Sequence, residues 1–509
     1  MGSFVKGTIF LTLVIFLSKL FGFVYRMQFM RIAGEEAVGV YMTAYPAFIF
    51  FISLVSLGLP IAVAKIVAEL HAKKKDGQLQ AVLKTAIKWS VFFIILFIPL
   101  LYFFIPILAG NLLQNEATTV TLYIALATVP VVVFSGVLKG YLQGIANISA
   151  TAWSQMLEQL IRIGLITFLL PFFVTPDNPT LTAAYAMAIT AVGEVFSFVY
   201  LYITYLFSKK PKKSKSEVNK PYPAMPLLRI AVPSAGSKLF GTFTWFLEPI
   251  VFLKALTVAG MTAAGATTLY GIISGVHIPL LLFPSFIPNA LAIVLIPAVS
   301  DAMARNNYSL LNDRIGMSLR LSSIIGCYAA TFFFLHGDEL AMKLFHLEEN
   351  RGFMKVLAPI FYFYYIQSPL HSILQAIDEA RPAMMNSIYG GLGKLFIMFV
   401  LASQPFIQEF GAIIAIGFGV LVTSFLHIAT LRSHKMISAG FRFFAIPYLL
   451  FVVTCVIQSY VIPNLNFDFD FWTNSGITLL ILTVFLLMTK QFQWSDFKFL
   501  RSIVRRTRL

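Results

Sequence analysis

The sequence predicts an all-α polytopic membrane protein with about 14 transmembrane helices. Of its 509 residues, 58% are hydrophobic and only 12% are charged, and the mean hydropathy is +0.82. A soluble protein carries about 25% charged residues, so lipid rather than water must surround most of this chain. Apolar runs of the length needed to cross a bilayer, about 20 residues, recur along the sequence. They are the fourteen runs 7–32, 40–70, 86–109, 118–138, 153–173, 181–207, 226–256, 266–298, 313–335, 353–374, 384–403, 410–432, 442–462 and 474–490.

An internal repeat predicts how these helices are grouped. The pentapeptide Ser-Lys-Leu-Phe-Gly at 18–22 returns 219 residues later at 237–241. Farther along, Leu-Gln at 142–143 returns at 374–375 with an offset of 232, which implies an insertion of about a dozen residues between the two copies. We therefore expect two lobes of six helices each, followed by a C-terminal helix pair.

The domain boundaries follow from this repeat and from one long polar run. We expect an N-terminal six-helix lobe at 1–207, a basic cytoplasmic linker at 208–225, a C-terminal six-helix lobe at 226–435, and two extra helices with a basic tail at 436–509. Because six is an even number, both lobes begin on the same side of the membrane. They should therefore be parallel-related, by an axis along the membrane normal, as in some transporters.

The charge distribution predicts the orientation. The net charge is +16, and the basic residues lie mainly in short runs between apolar segments. Cytoplasmic loops collect Lys and Arg, so both termini are expected in the cytoplasm, with the chain retained in the membrane. The first run is too long for a signal-peptide core. The same pattern favours membrane lipids rather than nucleic acid as the partner of the basic residues.

Three basic residues inside apolar runs are the first candidates for a binding site. Lys19 and Lys238 occupy matching places in the two copies of the pentapeptide, and Arg26 follows Lys19 by seven residues, so it lies on nearly the same helix face. A charge at this depth costs about 2.5–3.5 kcal/mol, which indicates a shared polar cavity. Such a cationic cavity suits an anionic substrate. The alternative is a structural ion pair, for example of Lys238 with Glu248.

Other ionisable residues in the apolar runs are candidates for additional cavity or coupling groups. Glu158 and Arg162 are spaced i,i+4 and should pair along one helix. Glu194 and His277 are isolated in their runs, so each is either a proton- or cation-coupling group or a satisfied interior residue. Arg31 lies near the outer end of the first run, where it could reach the lipid headgroups. Lys394 and His427 are weaker candidates.

No sequence pattern points to covalent chemistry. The run Gly390-Gly-Leu-Gly393 lacks the strand-then-helix context of a nucleotide loop, and close helix packing explains it. No metal-ligand spacing or nucleophile elbow is present, and Cys327 and Cys455 imply neither a disulfide framework nor a zinc site. We therefore expect a protein that is not an enzyme and that has no cofactor.

Several segments resemble one known family. They resemble the SpoVB-like branch of polysaccharide transporters, which belongs to the multidrug/oligosaccharidyl-lipid/polysaccharide (MOP) exporter superfamily together with the MurJ-type lipid II flippases. The segments are Gly22-Phe-Val-Tyr-Arg26, Arg31-Ile-Ala-Gly-Glu-Glu-Ala-Val-Gly-Val-Tyr41, Gly58-Leu-Pro-Ile-Ala-Val-Ala-Lys65, Gly140-Tyr-Leu-Gln-Gly144, Thr151-Ala-Trp-Ser-Gln-Met-Leu-Glu-Gln-Leu-Ile-Arg162, Ile296-Pro-Ala-Val-Ser300 and Leu374-Gln-Ala-Ile-Asp-Glu-Ala-Arg-Pro382.

The resemblance implies a MOP/MATE-like fold and a flippase. Its substrate would be an undecaprenyl-diphosphate-linked oligosaccharide, above all the peptidoglycan precursor lipid II, moved by alternating access for cell-wall or spore-cortex synthesis. The last two helices would help form a groove for the lipid tail. MurJ-like flippases have a basic pair in the first helix. Lys19 matches its first member, whereas the second falls on Tyr25, with Arg26 one residue later.

Two other functions stay open at this stage. A cation-coupled exporter of small amphipathic drugs would need carboxylates at the heart of each lobe, and Glu194 and Glu248 are its only candidates. A non-transporting membrane scaffold for cell-wall synthases would need its buried charges closed off in salt bridges. The sequence does not define the exact lipid-linked substrate, the coupling ion, the oligomeric state, or whether the role is vegetative or confined to sporulation.

Overall fold

A computed structural model describes residues 2–175, 178–208, 222–434, 442–461 and 470–491. Every regular element in these ranges is a helix. The α-helices are α1 Gly2–Ser56, α2 Leu59–Ala72, α3 Leu79–Ile107, α4 Thr118–Gly144, α5 Ile148–Phe168, α6 Pro179–Phe207, α7 Ala224–Val258, α8 Ala263–Ile272, α9 Ile278–Leu282, α10 Phe286–Ala304, α11 Tyr308–Phe345, α12 Phe353–Ala376, α13 Ala380–Ala402, α14 Glu409–Ser433, α15 Arg442–Val456 and α16 Phe471–Met488. Most of the basic linker predicted at 208–225, namely residues 209–221, and the basic tail from 492 lie outside the described residues.

The helical architecture follows from the solvent. Lipid offers no hydrogen bonds, so a chain that crosses it must satisfy its backbone internally, and helices do so within one segment. In the described part of the chain, eleven helices are long and apolar enough to cross a membrane. The predicted all-α polytopic membrane protein is therefore confirmed. The number fourteen stays a prediction.

Three of the predicted apolar runs are divided differently in the structure. The first two runs share the long helix α1, which bends at Gly34 and ends at Ser56. The run 266–298 is divided among α8, α9 and α10, with a π-helical turn at Ile273–His277 between the first two. Proline accounts for part of this division, because Pro279 and Pro284 each remove a backbone donor near the start of a helical segment.

Contacts group the helices into two units. Among the described residues, the first unit comprises those of 3–257 and 261–275, and the second comprises 258–260 and those from 276 onward. Helix α7, which the sequence assigns to the C-terminal lobe, therefore groups with the first unit. Its aromatic residues pack on α1, where Trp245 lies 6.0 Å from Tyr45 and Phe246 lies 4.9 Å from Phe50, measured between ring centroids. The division into two repeated lobes at the linker stays a prediction.

Small residues bring helices of the first unit close together. A Cβ atom added to Gly39 of α1 would lie 2.6 Å from the carbonyl oxygen of Thr267 of α8. A Cβ atom added to Gly271 of α8 would lie 2.5 Å from the Cα atom of Gly39. The two helices thus meet backbone to backbone, the kind of contact that glycine permits between membrane helices.

The second unit contains a tight helix pair and the C-terminal helices. Helices α13 and α14 approach at Gly390, where an added Cβ atom would lie 1.9 Å from Thr423 Oγ1. Helices α15 and α16 pack on α11. The Cys327 thiol donates to the carbonyl oxygen of Pro447 at 2.9 Å, and His336 Nε2 lies 2.9 Å from Thr478 Oγ1.

Candidate functional site

A buried ion triad joins α5 to α6 in the first unit. One nitrogen of Arg162, Nη2, lies 3.0 Å from Glu158 Oε1 and 2.9 Å from Glu194 Oε1. All three side chains are buried. The i,i+4 pair of Glu158 and Arg162 was predicted. Glu194 is the lone ionisable residue of its own run, but Arg162 of a neighbouring helix pairs with it, as the alternative of a satisfied interior residue requires.

Helix caps and one glycine set the geometry of this triad. Asn147 caps α5, where its side chain accepts from the Ala150 N–H, and Asn178 caps α6 in the same way through the Leu181 N–H. On α6, Gly193 makes room for the arginine. A Cβ atom there would lie 2.8 Å from Arg162 Cγ.

The triad is incompletely satisfied by its neighbours. Among the described residues, Arg162 Nε and Glu194 Oε2 are buried without a hydrogen-bond partner. With both carboxylates ionised, the three groups carry a net charge of −1, and one bound proton would neutralise them. An excess charge that is buried is costly.

Next to the triad, two tyrosines of α1 converge on one threonine of α6. The hydroxyls of Tyr25 and Tyr41 lie 3.4 Å and 3.0 Å from Thr190 Oγ1. All three residues are buried, and Thr190 is one helical turn before Glu194. Sequence reasoning missed this group. The signal was the match of Tyr25 to the second position of the basic pair.

The predicted basic residues all belong to the first unit. Lys19 on α1 and Lys238 on α7 have exposed side chains although each lies within an apolar helix. Arg26 is half-buried, and Arg31 is exposed three residues before the bend at Gly34. Glu248, ten residues beyond Lys238, is buried. The two lysines thus lie on the surface of their helices, whereas the acidic candidate of α7 is buried.

His277, the remaining candidate, lies in the second unit. It is the lone ionisable residue of its own run, but its Nε2 atom lies 3.7 Å from Oδ1 of Asp338 on another helix, which agrees with the alternative of a satisfied interior residue. That carboxylate also accepts from the backbone N–H of Met354 at the start of α12, at 3.1 Å. Both side chains are buried, and His277 ends the π-helical turn. Turns of this kind often accompany functional sites.

A second polar cluster lies among α12, α13 and α14. The Thr430 hydroxyl donates to the Leu426 carbonyl, so its oxygen must accept from the Asn386 amide at 3.0 Å. This fixes the orientation of Asn386, whose other N–H then donates to His427 Nδ1 at 3.1 Å. Fully buried His427 is therefore neutral, with its proton on Nε2.

Sequence reasoning also missed one cationic residue. Arg320 is buried near the middle of α11, inside the predicted run 313–335. An arginine within an apolar run was the available signal.

Comparison with known proteins gives consistent results. The family described as "Polysaccharide biosynthesis protein" matches residues 4–303. Stage V sporulation protein B of Bacillus subtilis (strain 168) is 33% identical over 500 residues, which cover 96% of each chain. Lipid II flippase MurJ of the same organism is 23% identical and covers 84% of this chain and 82% of its own.

Solved structures show the same fold at low identity. A structure of lipid II flippase MurJ in an inward closed conformation has a TM-score of 0.68 at 15% identity, covering 94% of this chain and 98% of that one. An inward-facing MATE family transporter of the MOP superfamily has a TM-score of 0.65 at 16% identity, covering 83% and 96%.

The bundle of apolar helices defines a multi-pass membrane protein, and it shares its fold with solved structures of the MOP superfamily. Within that class, the chain belongs to the polysaccharide biosynthesis protein family, with SpoVB and MurJ among its homologues. The MOP/MATE-like fold predicted from the sequence is confirmed. Because these relatives are transporters and flippases, the prediction that the chain is not an enzyme is confirmed as well.

Proposed function

We propose that this protein translocates an undecaprenyl-diphosphate-linked oligosaccharide, lipid II above all, from the inner to the outer leaflet by alternating access. The observation that carries the proposal is the exposure of Lys19 and Lys238 within membrane-spanning helices of a lipid-linked glycan flippase family. An exposed ammonium group at this depth requires a polar surrounding. The diphosphate of the carrier lipid provides one.

The three basic residues match the chemistry of a diphosphate. Arg26 offers a planar fork that can bind two phosphate oxygens, whereas Lys19 and Lys238 act as point charges. The polyprenyl tail would stay in lipid beside the helices, with the groove of α15 and α16 as its proposed path. The Arg162 triad is the proposed position for a coupling proton, because it has two carboxylates and one cation.

The physiological role proposed is the synthesis of the cell wall or spore cortex. The relative that is 33% identical is named as a sporulation protein, and a more distant one as a lipid II flippase. Both names are consistent with a glycan that is assembled on a lipid in the bacterial cell membrane and moved outward for cell-wall synthases. With the N-terminus inside, as proposed from the charge distribution, both chain ends are cytoplasmic.

Head-group translocation in proteoliposomes tests the function. Purified protein is reconstituted with fluorescent lipid II, and the fraction of head groups that reach the opposite leaflet is measured with a membrane-impermeant quencher. The double variant Lys19→Ala with Lys238→Ala should lose most of this activity. Lys84→Ala, on the exposed side of α3, is the matched control and should retain it. Undiminished translocation by the double variant would refute the site.

Two further experiments distinguish the alternatives. Growth of a strain depleted of its lipid II flippase, restored by this gene, would identify the peptidoglycan precursor as the substrate. A deletion strain with increased sensitivity to amphipathic drugs would instead favour the drug exporter. Protein without translocation activity for either class of compound would favour a scaffold.

A further inference from the structure

Helix α1 bends at one residue. Gly34 has φ 77° and ψ 171°, a region of backbone space that is essentially restricted to glycine. A Cβ atom at Gly34 would meet nothing within 4 Å, so the backbone rather than packing requires the glycine. The bend separates a first section, which carries the basic residues Lys19 and Arg26, from a second section that ends at Ser56.

The bend brings two distant tyrosines to one atom. Tyr25 precedes Gly34 by nine residues and Tyr41 follows it by seven. In a straight helix these residues would be about 24 Å apart along the axis, too far for both hydroxyls to reach Thr190. Phe29 fills the inside of the bend, with its ring centroid 6.1 Å from that of Tyr25 and 5.1 Å from that of Tyr41.

The hydrogen-bond roles at Thr190 are determined by its own bond. Its hydroxyl donates to the Ala186 carbonyl at 3.1 Å and so has no second proton to give. The oxygen therefore accepts from both Tyr25 and Tyr41. One buried oxygen thus holds the two sections of α1, and its loss would leave two buried donors without this partner.

The position of Tyr25 sets the direction of the basic residues. Arg26 follows it by about 100° around the helix, and Lys19 lies within about 20° of Arg26. With Tyr25 held on α6, Lys19 and Arg26 both lie on one side of α1, roughly a quarter to a third of a turn around the helix axis from Tyr25. A rotation of the first section would turn both of them together.

We propose that Thr190 is a positioning residue for the diphosphate site, and that it orients Lys19 and Arg26 by accepting the hydroxyl protons of Tyr25 and Tyr41. The identity of the ligand, a diphosphate, rests on the proposed function. The orientation of Lys19 and Arg26 does not rest on it and can be measured without any substrate.

Three variants separate the hydroxyl from the rest of the side chain. Thr190→Val keeps the shape and removes the acceptor, whereas Thr190→Ser keeps the acceptor. Thr204→Val on the same helix is the matched control, because the Thr204 hydroxyl likewise donates to the backbone four residues earlier, at Tyr200. The pair Tyr25→Phe with Tyr41→Phe removes the donors instead, and replaces Thr190→Val if that variant does not fold.

The first measurement is a distance between α1 and α6. Spin labels at Lys19→Cys and Val192→Cys, both exposed positions, report it by pulsed electron resonance in lipid nanodiscs. The native Cys327 and Cys455 are buried, so the labels are selective. Thr190→Val should shift and broaden the distance distribution, while Thr190→Ser and Thr204→Val should leave it as in the parent.

The second measurement is binding of undecaprenyl diphosphate in nanodiscs by protein that carries the native Lys19. Thr190→Val should weaken binding about tenfold, the effect of losing one to two hydrogen bonds. Thr190→Ser should bind as tightly as the parent. In Thr190→Val, the maximal rate of translocation per bound lipid should change less than the affinity for the lipid.

The outcomes are distinguishable. An unchanged label distance in Thr190→Val, a serine variant that behaves like valine, or a shifted distance with full diphosphate affinity would each overturn the positioning role. If the parent protein itself does not bind the diphosphate, the proposed function fails, while a distance shift reversed by serine still supports the orienting role of Thr190.

Discussion

Arg162 of α5 donates from Nη2 to Glu194 Oε1 of α6 at 2.9 Å, across 32 residues of chain and inside the apolar part of the first unit. The same nitrogen lies 3.0 Å from Glu158. One guanidinium therefore compensates two carboxylates, and the three residues should respond unequally to substitution.

Removal of the Arg162 cation should lower the free energy of unfolding more than removal of one carboxylate. Arg162→Met leaves two buried carboxylates side by side and should destabilise the protein by about 3–5 kcal/mol. Glu194→Gln leaves the Glu158 pair intact and should cost about 1 kcal/mol. Thermal unfolding in one detergent measures both. Glu339→Gln, in the exposed pair with Lys343, is the control and should change stability by less than about 1 kcal/mol. Equal losses for the two triad variants would contradict the shared-cation geometry.

Gly193→Ala tests the space beside the triad. The new Cβ atom would lie 2.8 Å from Arg162 Cγ and would displace the guanidinium, at a cost of about 1–3 kcal/mol. Gly164→Ala on α5 is the matched control, because a Cβ atom there meets nothing within 4 Å. The control should be neutral or stabilising by up to about 1 kcal/mol, since alanine favours helix. Similar unfolding temperatures for the two variants would show that the space at Gly193 is not limiting.

Gly34→Ala tests the bend of α1. Alanine at φ 77° and ψ 171° is strained by about 1–3 kcal/mol although the space around it is open. We expect a lower unfolding temperature and a changed label distance between α1 and α6. Gly241→Ala, also without neighbours at its Cβ position, should show neither. A wild-type unfolding temperature for Gly34→Ala would mean that the bend does not depend on glycine.

The ion pair between His434 and Glu379 predicts a pH dependence outside the membrane-spanning helices. The Thr430 carbonyl, which is 2.9 Å from Nδ1, and then the Glu379 carboxylate, which is 2.9 Å from Nε2, raise the pKa of His434 above its usual 6.5. The contribution to stability is therefore present below pH 6.5 and is lost as the pH rises through the higher, folded-state pKa.

The unfolding temperature of the parent and of Glu379→Gln, recorded between about pH 5.5 and 8.5, measures this contribution. The parent should exceed the variant most at the acid end, and the two curves should converge at the alkaline end. A constant difference across the range would argue against a charged His434.

The tautomer of His427 gives a spectroscopic prediction. Nitrogen-15 NMR of histidine-labelled protein in nanodiscs should show an unprotonated Nδ1 and a protonated Nε2, because Asn386 donates to Nδ1. Asn386→Asp replaces that donor by an acceptor and should place a proton on Nδ1. Thr423→Val, on the same helix as His427, is the control and should leave the histidine signals in place. A protonated Nδ1 in the parent would refute the assigned network.

The sequence predicts what depends on periodicity and composition. The helical class, the membrane location and the pairing of Glu158 with Arg162 each follow from spacing along one segment. The partner of a residue on another helix does not follow from such spacing. The sequence shows no partner for Glu194 or His277, because Arg162 and Asp338 lie 32 and 61 residues away, on other helices.

The contacts of Tyr25 and Tyr41 with Thr190 could not be predicted from the sequence for a different reason. An apolar run gives no indication of a bend until the left-handed backbone of one glycine is known, and Gly34 is one of 31 glycines. Without that bend, Tyr25 and Tyr41 belong to distant turns of a straight helix. The roles of Lys19, Arg26 and Lys238 in binding stay predictions.

The contact between Gly39 and Gly271 limits how this family of sequences can vary. Each residue already has the smallest side chain, so a larger residue at one position cannot be compensated by a smaller one at the other. Genetic suppressors of Gly39→Ala should therefore never map to position 271. They should arise instead where α8 can shift as a whole, in the residues that join it to α7 and to the π-helical turn.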